Sequence, residues 1–208
     1  RAMVALDMGF GPDDIELCSF HSISKGFLGE CGRRGGYVEC FGIGDEAKQA
    51  IYRMIALGLC SNVAGQITIE LMLNPPKEGE PSYPLYDQER TELLASLNRR
   101  AQLFCDAFNQ MEGVSCNRAE GALYLFPQLH LPAKARHAAK HEGVEADAFY
   151  AERLLDATGI CIVPGSGFKQ VPGTYHLRFA FLPAEQDIAA VVGKMRAFHE
   201  SFMNEFKD

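Results

Sequence analysis

The chain has 208 residues, 47% of them hydrophobic and 23% charged, with a formal net charge of −7. That apolar share excludes an extended disordered polymer. The acidic balance argues against nucleic acid or an anionic membrane as a partner, because both need a basic face.

No apolar run approaches the roughly 20 residues of a membrane span. The opening RAMVALDMGF reads as the end of a helix or strand already in progress, and it lacks the pattern of a signal peptide. Short apolar runs predict strands over Ile15–His21 and Gly35–Gly42. A helix follows from Glu46 to about Leu59, with Asp45 as N-cap and Ile51, Met54, Ile55 and Gly58 on one face. Ser61-Asn62 caps a second helix over Ala64–Leu73, which Asn74-Pro75-Pro76 stops. Pro75–Pro84 (PPKEGEPSYP) reads as an exposed loop.

A long helix is predicted over Tyr86–Met111, since Leu93, Leu94, Leu97, Ala101, Phe104 and Phe108 keep a helical period; Gly113 ends it. Beyond it come strands at Val114–Asn117 and Ala122–Gln128, then a variable stretch over Leu131–Val144. A helix over Ala146–Thr158, a strand at Ile160–Val163, a turn at Pro164–Phe168, a strand at Tyr175–Leu182 and a last helix over Ala184–Phe206 complete an α+β block.

The seven cysteines (18, 31, 40, 60, 105, 116 and 161) form no CxxC pair, so zinc-ribbon and disulfide-framework readings are weak. Their apolar neighbours read as those of buried thiols. Cys31 follows Lys25 closely but has no evident base beside it. His137 and His141 are four apart, as metal ligands can be, yet KARHAAKHEG reads as a solvated surface. PGSGF at 164–168 is a tight turn rather than a phosphate loop, because no GK[ST] follows. His21 and His176 adjoin site residues on strands and read as packing or supporting groups. Glu145 and Asp147 read as loop and cap positions.

The segment SFHSISKGFLGECGRRGGY (19–37) concentrates the chemistry. Lys25 sits at the exit of a strand, behind two hydroxyls and ahead of Arg33 and Arg34. Desolvation and neighbouring positive charge favour the neutral, nucleophilic amine. Ser22, Ser24 and the backbone at Gly26 offer hydrogen bonds to a phosphate, and arginine offers a bidentate fork. A Schiff-base lysine beside a phosphate site is what pyridoxal 5'-phosphate (PLP) chemistry requires. A solvated lysine in a Gly-rich loop would share this composition, since SxSKG alone is permissive. In HLRFAFL, Arg178 on an apolar strand is costly unless a carboxylate pairs it.

The segment 19–37 resembles the PLP-lysine segment of the fold-type I aminotransferases, and within them the alanine aminotransferase family, in which SxSKG is followed by GECGxRGGY. NVAGQ (62–66), GVSCNRAEGALYLFPQ (113–128) and TGICIVPGSGFKQVPGTYHLRFAFLP (158–183) agree with that family in order and spacing. The resemblance implies that Lys25 carries PLP and moves the substrate proton. It implies that Ser22, Ser24 and Arg34 bind the cofactor phosphate, and that Arg178 grips the substrate α-carboxylate. Arg33 occupies the variable position of the GxRGG frame and reads as peripheral.

The fold class implied is α/β: the closing part of a fold-type I PLP-dependent large domain (1–85), a bridging helix (86–112) and an α+β C-terminal small domain (113–208). The implied reaction is L-alanine with 2-oxoglutarate to pyruvate and L-glutamate. The parent is expected to be a homodimer of the cytoplasm or mitochondrial matrix that acts on small amino and 2-oxo acids. It is also expected to be more than twice as long, with this chain beginning inside the cofactor domain and inactive alone. Another fold-type I PLP enzyme, either a different aminotransferase or an aminocyclopropane-carboxylate-type lyase, and a non-catalytic fragment are the alternatives.

Overall fold

A computed structural model describes residues 2–25 and 29–207; Gly26, offered above for close backbone approach, lies outside the described residues. Contacts divide the chain into two compact units, Arg1–Tyr86 and Asp87–Asp208.

The first unit contains α1 (Ala2–Asp7), β1 (Leu17–Ser22), β2 (Gly36–Phe41), α2 (Asp45–Ala56) and α3 (Val63–Leu73). β1 and β2 pair antiparallel, from Leu17 opposite Phe41 to Ser22 opposite Gly36. The register continues one step further, where the Ile23 N–H donates to Gly35 O at 3.2 Å. Ile23 is 1% exposed and pins this end of the hairpin.

α2 begins one residue earlier than its sequence pattern implies. Gly44 holds the cap position and Asp45 is the first helical residue. Asp45 therefore acts through the helix dipole, with Glu46 beside it in the first turn. The apolar face of α2 forms, but Met54 and Ile55 on it are exposed.

In the second unit the chain order is α4 (Tyr83–Asn109, opening in the first unit), β3 (Val114–Ser115), β4 (Tyr124–Leu125), β5 (Gln128–Leu129), α5 (Ala133–Glu142), α6 (Ala146–Thr158), β6 (Val163–Pro164), β7 (Tyr175–Ala180) and α7 (Glu185–Glu205). α4 starts inside the proline loop, because Pro84 falls in its first turn, where a missing N–H costs nothing.

The strand expected over Ala122–Gln128 is broken in two. Tyr124 and Leu125 pair with Ala180 and Phe179, and Gln128 and Leu129 with His176 and Tyr175, in one unbroken register. Pro127 has no N–H to give, so the ladder lapses there, although its carbonyl still accepts from Leu177 N–H at 3.0 Å. β6 lies on the other edge of β7, with Val163 opposite Arg178.

The stretch 131–144, expected to be variable, contains α5. Its buried positions are Ala135 and Ala139, and Gly143 closes it at φ 76°. α4, α5, α6 and α7 contribute Phe104, Phe108, Ala139, Tyr150, Leu154, Met195 and Phe202 to one core with Leu125, Leu177 and Phe179 of the sheet. The cysteines do not share one environment: Cys105 and Cys116 are buried, Cys18 and Cys40 half-buried, and Cys31, Cys60 and Cys161 exposed.

Candidate active site

The exit of β1 and the entrance of β2 place the first group of side chains. Ser22 Oγ accepts from the Ser24 N–H at 3.1 Å and donates to Ser24 Oγ at 3.0 Å, so the two hydroxyls form a local turn and face one another. Lys25 follows directly and is exposed.

Cys31–Arg33 forms a single 3-10 turn that ends on Arg34 in the left-handed region, at φ 50°. That conformation is sparsely populated for a residue with a Cβ. The turn is held by Arg34 itself, whose Nη1 donates to Cys31 O at 3.0 Å and lies 3.7 Å from Cys31 Sγ. The structure thus brings Ser22 and Ser24 together with Lys25 behind them. It holds the Arg34 guanidinium on the Cys31 turn rather than on the serines. Arg33 pairs with Glu30 at 3.8 Å across an exposed surface.

NVAGQ has a local physical purpose. Asn62 Oδ1 caps α3 by accepting from Ala64 N–H at 3.0 Å, while Asn62 Nδ2 donates to Arg33 O at 2.9 Å. Gly65 then meets the same turn: a Cβ there would lie 2.8 Å from Arg33 O and 2.9 Å from Arg34 O. One asparagine and one glycine therefore fix α3 against the backbone that presents Arg34.

Arg178 belongs to the second unit and is half-buried on β7. Its guanidinium carbon lies 4.9 Å from the ring centres of both Tyr124 and Phe168. No Asp or Glu among the described residues is within salt-bridge distance of it. Two rings hold the plane of the cation by cation–π attraction, and its edge meets no carboxylate among the described residues.

Behind Arg178 runs a polar chain anchored on Asp147, which is fully buried. Asp147 Oδ1 accepts from Ala148 N–H at 2.9 Å, and Oδ2 accepts from Ser166 N–H at 2.8 Å and Gln170 Nε2 at 2.6 Å. Gln170 Oε1 meets His176 Nδ1 at 2.8 Å, and the imidazole stacks on Phe126 at 4.8 Å. Burial pushes the His176 pKa down, partly offset by the Asp147 charge. Because Gln170 Oε1 can only accept, Nδ1 carries the hydrogen.

Asp147 is therefore no simple cap position: it ties the 165–170 turn, and with it Phe168, to α6. The sequence signal was a lone acid in an otherwise apolar helical start, ADAFYA. His137 and His141 lie on α5, and no cluster of three possible metal ligands occurs among the described residues.

No family model matches the chain. Among curated proteins it is 54% identical to alanine aminotransferase 2 of Panicum miliaceum over 205 residues, which is 99% of this chain and 42% of that protein. It is 52% identical to a probable mitochondrial alanine aminotransferase of Dictyostelium discoideum, over 98% of this chain and 38% of that protein. The chain therefore spans about two fifths of the length of the relatives it matches. A solved alanine aminotransferase from Pyrococcus furiosus aligns over 90% of this chain and 43% of its own, with a TM-score of 0.71 at 21% identity, which shows a shared fold. Over its whole length the chain is similar to a C-terminal portion of the alanine aminotransferases, and it has the fold of the fold-type I aminotransferases.

Proposed function

We propose that this chain supplies the lysine, phosphate donors and carboxylate-binding arginine of a PLP-dependent alanine aminotransferase. The whole enzyme converts L-alanine and 2-oxoglutarate to pyruvate and L-glutamate. The observation that carries the reading is Arg178, a half-buried guanidinium framed by two rings and without a protein carboxylate among the described residues. An α-carboxylate is common to both amino and 2-oxo acid substrates, and a fixed guanidinium fork matches it.

The donor set on the hairpin fits the cofactor. Two hydroxyls 3.0 Å apart suit phosphate oxygens, Arg34 supplies a cation, and Lys25 supplies the primary amine an aldehyde needs. When bound, PLP supplies an electron sink for the pair left at the substrate Cα. Ser22, Ser24 and Arg34 would hold the phosphate and so fix the cofactor's position. Arg178 would fix the substrate by its carboxylate, a positioning task that sets which Cα bond is aligned for cleavage. Lys25 Nζ, in its neutral amine form, would take the proton from the substrate Cα.

In this reading residues 1–85 are the closing part of the cofactor domain, 86–112 the bridging helix and 113–208 the small domain. The exposure of Met54, Ile55, Leu57, Leu59, Ile67 and Leu71 supports that assignment, because an apolar surface of this kind is normally covered. The working enzyme would be a homodimer of the cytoplasm or mitochondrial matrix. No helix among the described residues is long and apolar enough to cross a membrane.

Borohydride reduction after adding PLP, followed by intact mass and peptide mapping, tests the reading. A single adduct on Lys25, absent from Lys25→Ala, is the expected result. Adducts spread evenly over several lysines in both proteins would overturn it. The 208-residue chain assayed alone is expected to show little transaminase activity, since Lys25 stands open to water.

A further inference from the structure

Cys18 and Cys40 face each other across the β1–β2 ladder. Because the Ile23 N–H bonds to Gly35 O directly opposite, hydrogen-bonded and non-hydrogen-bonded pairs must alternate back from that point. Five steps back, Cys18 and Cys40 fall on a non-hydrogen-bonded pair, where opposed Cα atoms lie about 4.5 Å apart. That spacing is inside the range a disulfide bridges without moving the backbone. Burial and, after it, the neighbouring Cys40 thiol push the Cys18 pKa up. Both thiols are half-buried, so a small reagent reaches them.

Cys105 and Cys116 provide an internal contrast. They too are adjacent, but both are buried, and that is what separates the pairs: burial together with the Cys105 thiol pushes the Cys116 pKa up to about 12, in the same direction as at Cys18. The exposed thiols of Cys31, Cys60 and Cys161 are each without a bonded thiol among the described residues.

We propose that Cys18 and Cys40 form a redox modification site that closes to a cross-strand disulfide by exchange with a low-molecular-weight disulfide such as oxidised glutathione. One of the two sulfurs, as thiolate, attacks the small disulfide and expels one glutathione thiolate, which takes up the proton released. The neighbouring protein thiolate attacks the resulting mixed disulfide and expels the second glutathione, which takes up the second proton. Two protein thiols are oxidised and one small disulfide is reduced to two thiols. The ring so closed runs from residue 18 to residue 40 and contains Ser22, Ser24, Lys25 and Arg34. The modification clamps the hairpin that presents them. It depends on the strand register and not on the catalytic reading above.

The test is exchange of the 208-residue chain with oxidised glutathione in mildly alkaline buffer. Remaining thiols are then alkylated and peptides mapped without reduction, beside Cys40→Ser and a urea-unfolded control. The expected result is a dominant Cys18–Cys40 linked peptide short of two hydrogens, with Cys105 and Cys116 recovered as thiols. Cys40→Ser should stop at glutathione on Cys18. Backbone amide exchange across Leu17–Ser22 should slow about tenfold or more in the oxidised protein. Separate glutathione adducts on Cys18 and Cys40 would overturn the proposal. So would linkages distributed as in the unfolded control, or a Cys105–Cys116 bond formed first.

Discussion

Among the described residues before position 87, the buried hydrophobic side chains are Ala2, Ala5 and Ile23; after it, four helices and a sheet enclose a continuous core that includes Phe104, Tyr150, Leu154, Leu177 and Phe202. The first unit is ordered by backbone means: the β1–β2 ladder, the Asn62 bonds to the Arg33 turn, and the contact of Gly65 with that turn. Apolar burial contributes roughly 25 cal/mol per Å², so side chains hold the second unit and geometry holds the first. Lys25, the proposed cofactor lysine, sits in the unit with few buried apolar side chains. Arg178, the proposed carboxylate-binding residue, sits in the unit with the continuous core.

A core deletion should expose this difference most strongly. Phe104 is 1% exposed and lies 4.6 Å from Phe179 ring to ring. Phe104→Ala is expected to cost about 3–5 kcal/mol, read as a lowered urea midpoint. Ile55→Ala on α2, at 54% exposure, should stay within about 0.5 kcal/mol. Equal losses in the two variants would mean that α2 is covered in solution.

Gly65→Ala sharpens the same comparison from the other side. Its Cβ would meet backbone oxygens at 2.8 and 2.9 Å, which cannot rotate away. The cost expected is about 1–3 kcal/mol, confined to the first unit. Amide exchange should quicken at residues 31–35 and leave α6 and α7 unchanged. No change at 31–35 would mean that α3 does not rest on the Arg34 turn.

How much of this was legible in the sequence depended on which force acted at each position. The long α4, α6 and α7 follow from periodic large apolar residues. α5 was missed because its buried side chains are Ala135 and Ala139, too small to stand out from KARHAAKHEG. The break at Pro127 and the pairing of Arg178 with Tyr124 and Phe168 depend on register, which only partner strands define. Lys25, Ser22, Ser24, Arg34 and Arg178 could be picked out as a set by motif. The Asp147–Gln170–His176 chain could not, since it joins residues from three segments by side-chain hydrogen bonds.

The pH response is expected to come from the second unit. His199 is buried; its Nε2 donates to Glu112 O at 2.7 Å, so Nδ1 must accept from the Tyr150 hydroxyl at 3.0 Å. Burial lowers the His199 pKa, with the Glu112 carbonyl opposing. A histidine with a depressed folded pKa contributes stability that is fully present above its unfolded value of about 6.5 and is lost as pH falls through the folded value. Losing the Tyr150 bond on protonation should cost about 1–2 kcal/mol. His199→Gln should flatten the acid side of the stability–pH curve, leaving the slope of His176, whose pKa is lowered in the same direction. An unchanged slope would place the acid response elsewhere.

A small stability effect is expected at Arg178, and its smallness is informative. If the guanidinium were half of a structural ion pair, removing it would strand a buried carboxylate and cost about 3–5 kcal/mol. With two aromatic rings as its contacts, Arg178→Met should cost only about 1 kcal/mol, the cation–π attraction less the gain from an apolar side chain. Methionine retains the length needed to pack between Tyr124 and Phe168, so the comparison isolates charge from volume. A loss near that of Phe104→Ala would make Arg178 a structural residue and remove the main support for its role in gripping a substrate carboxylate. A small loss would leave a rigidly framed cation that the second unit does not need for its own stability.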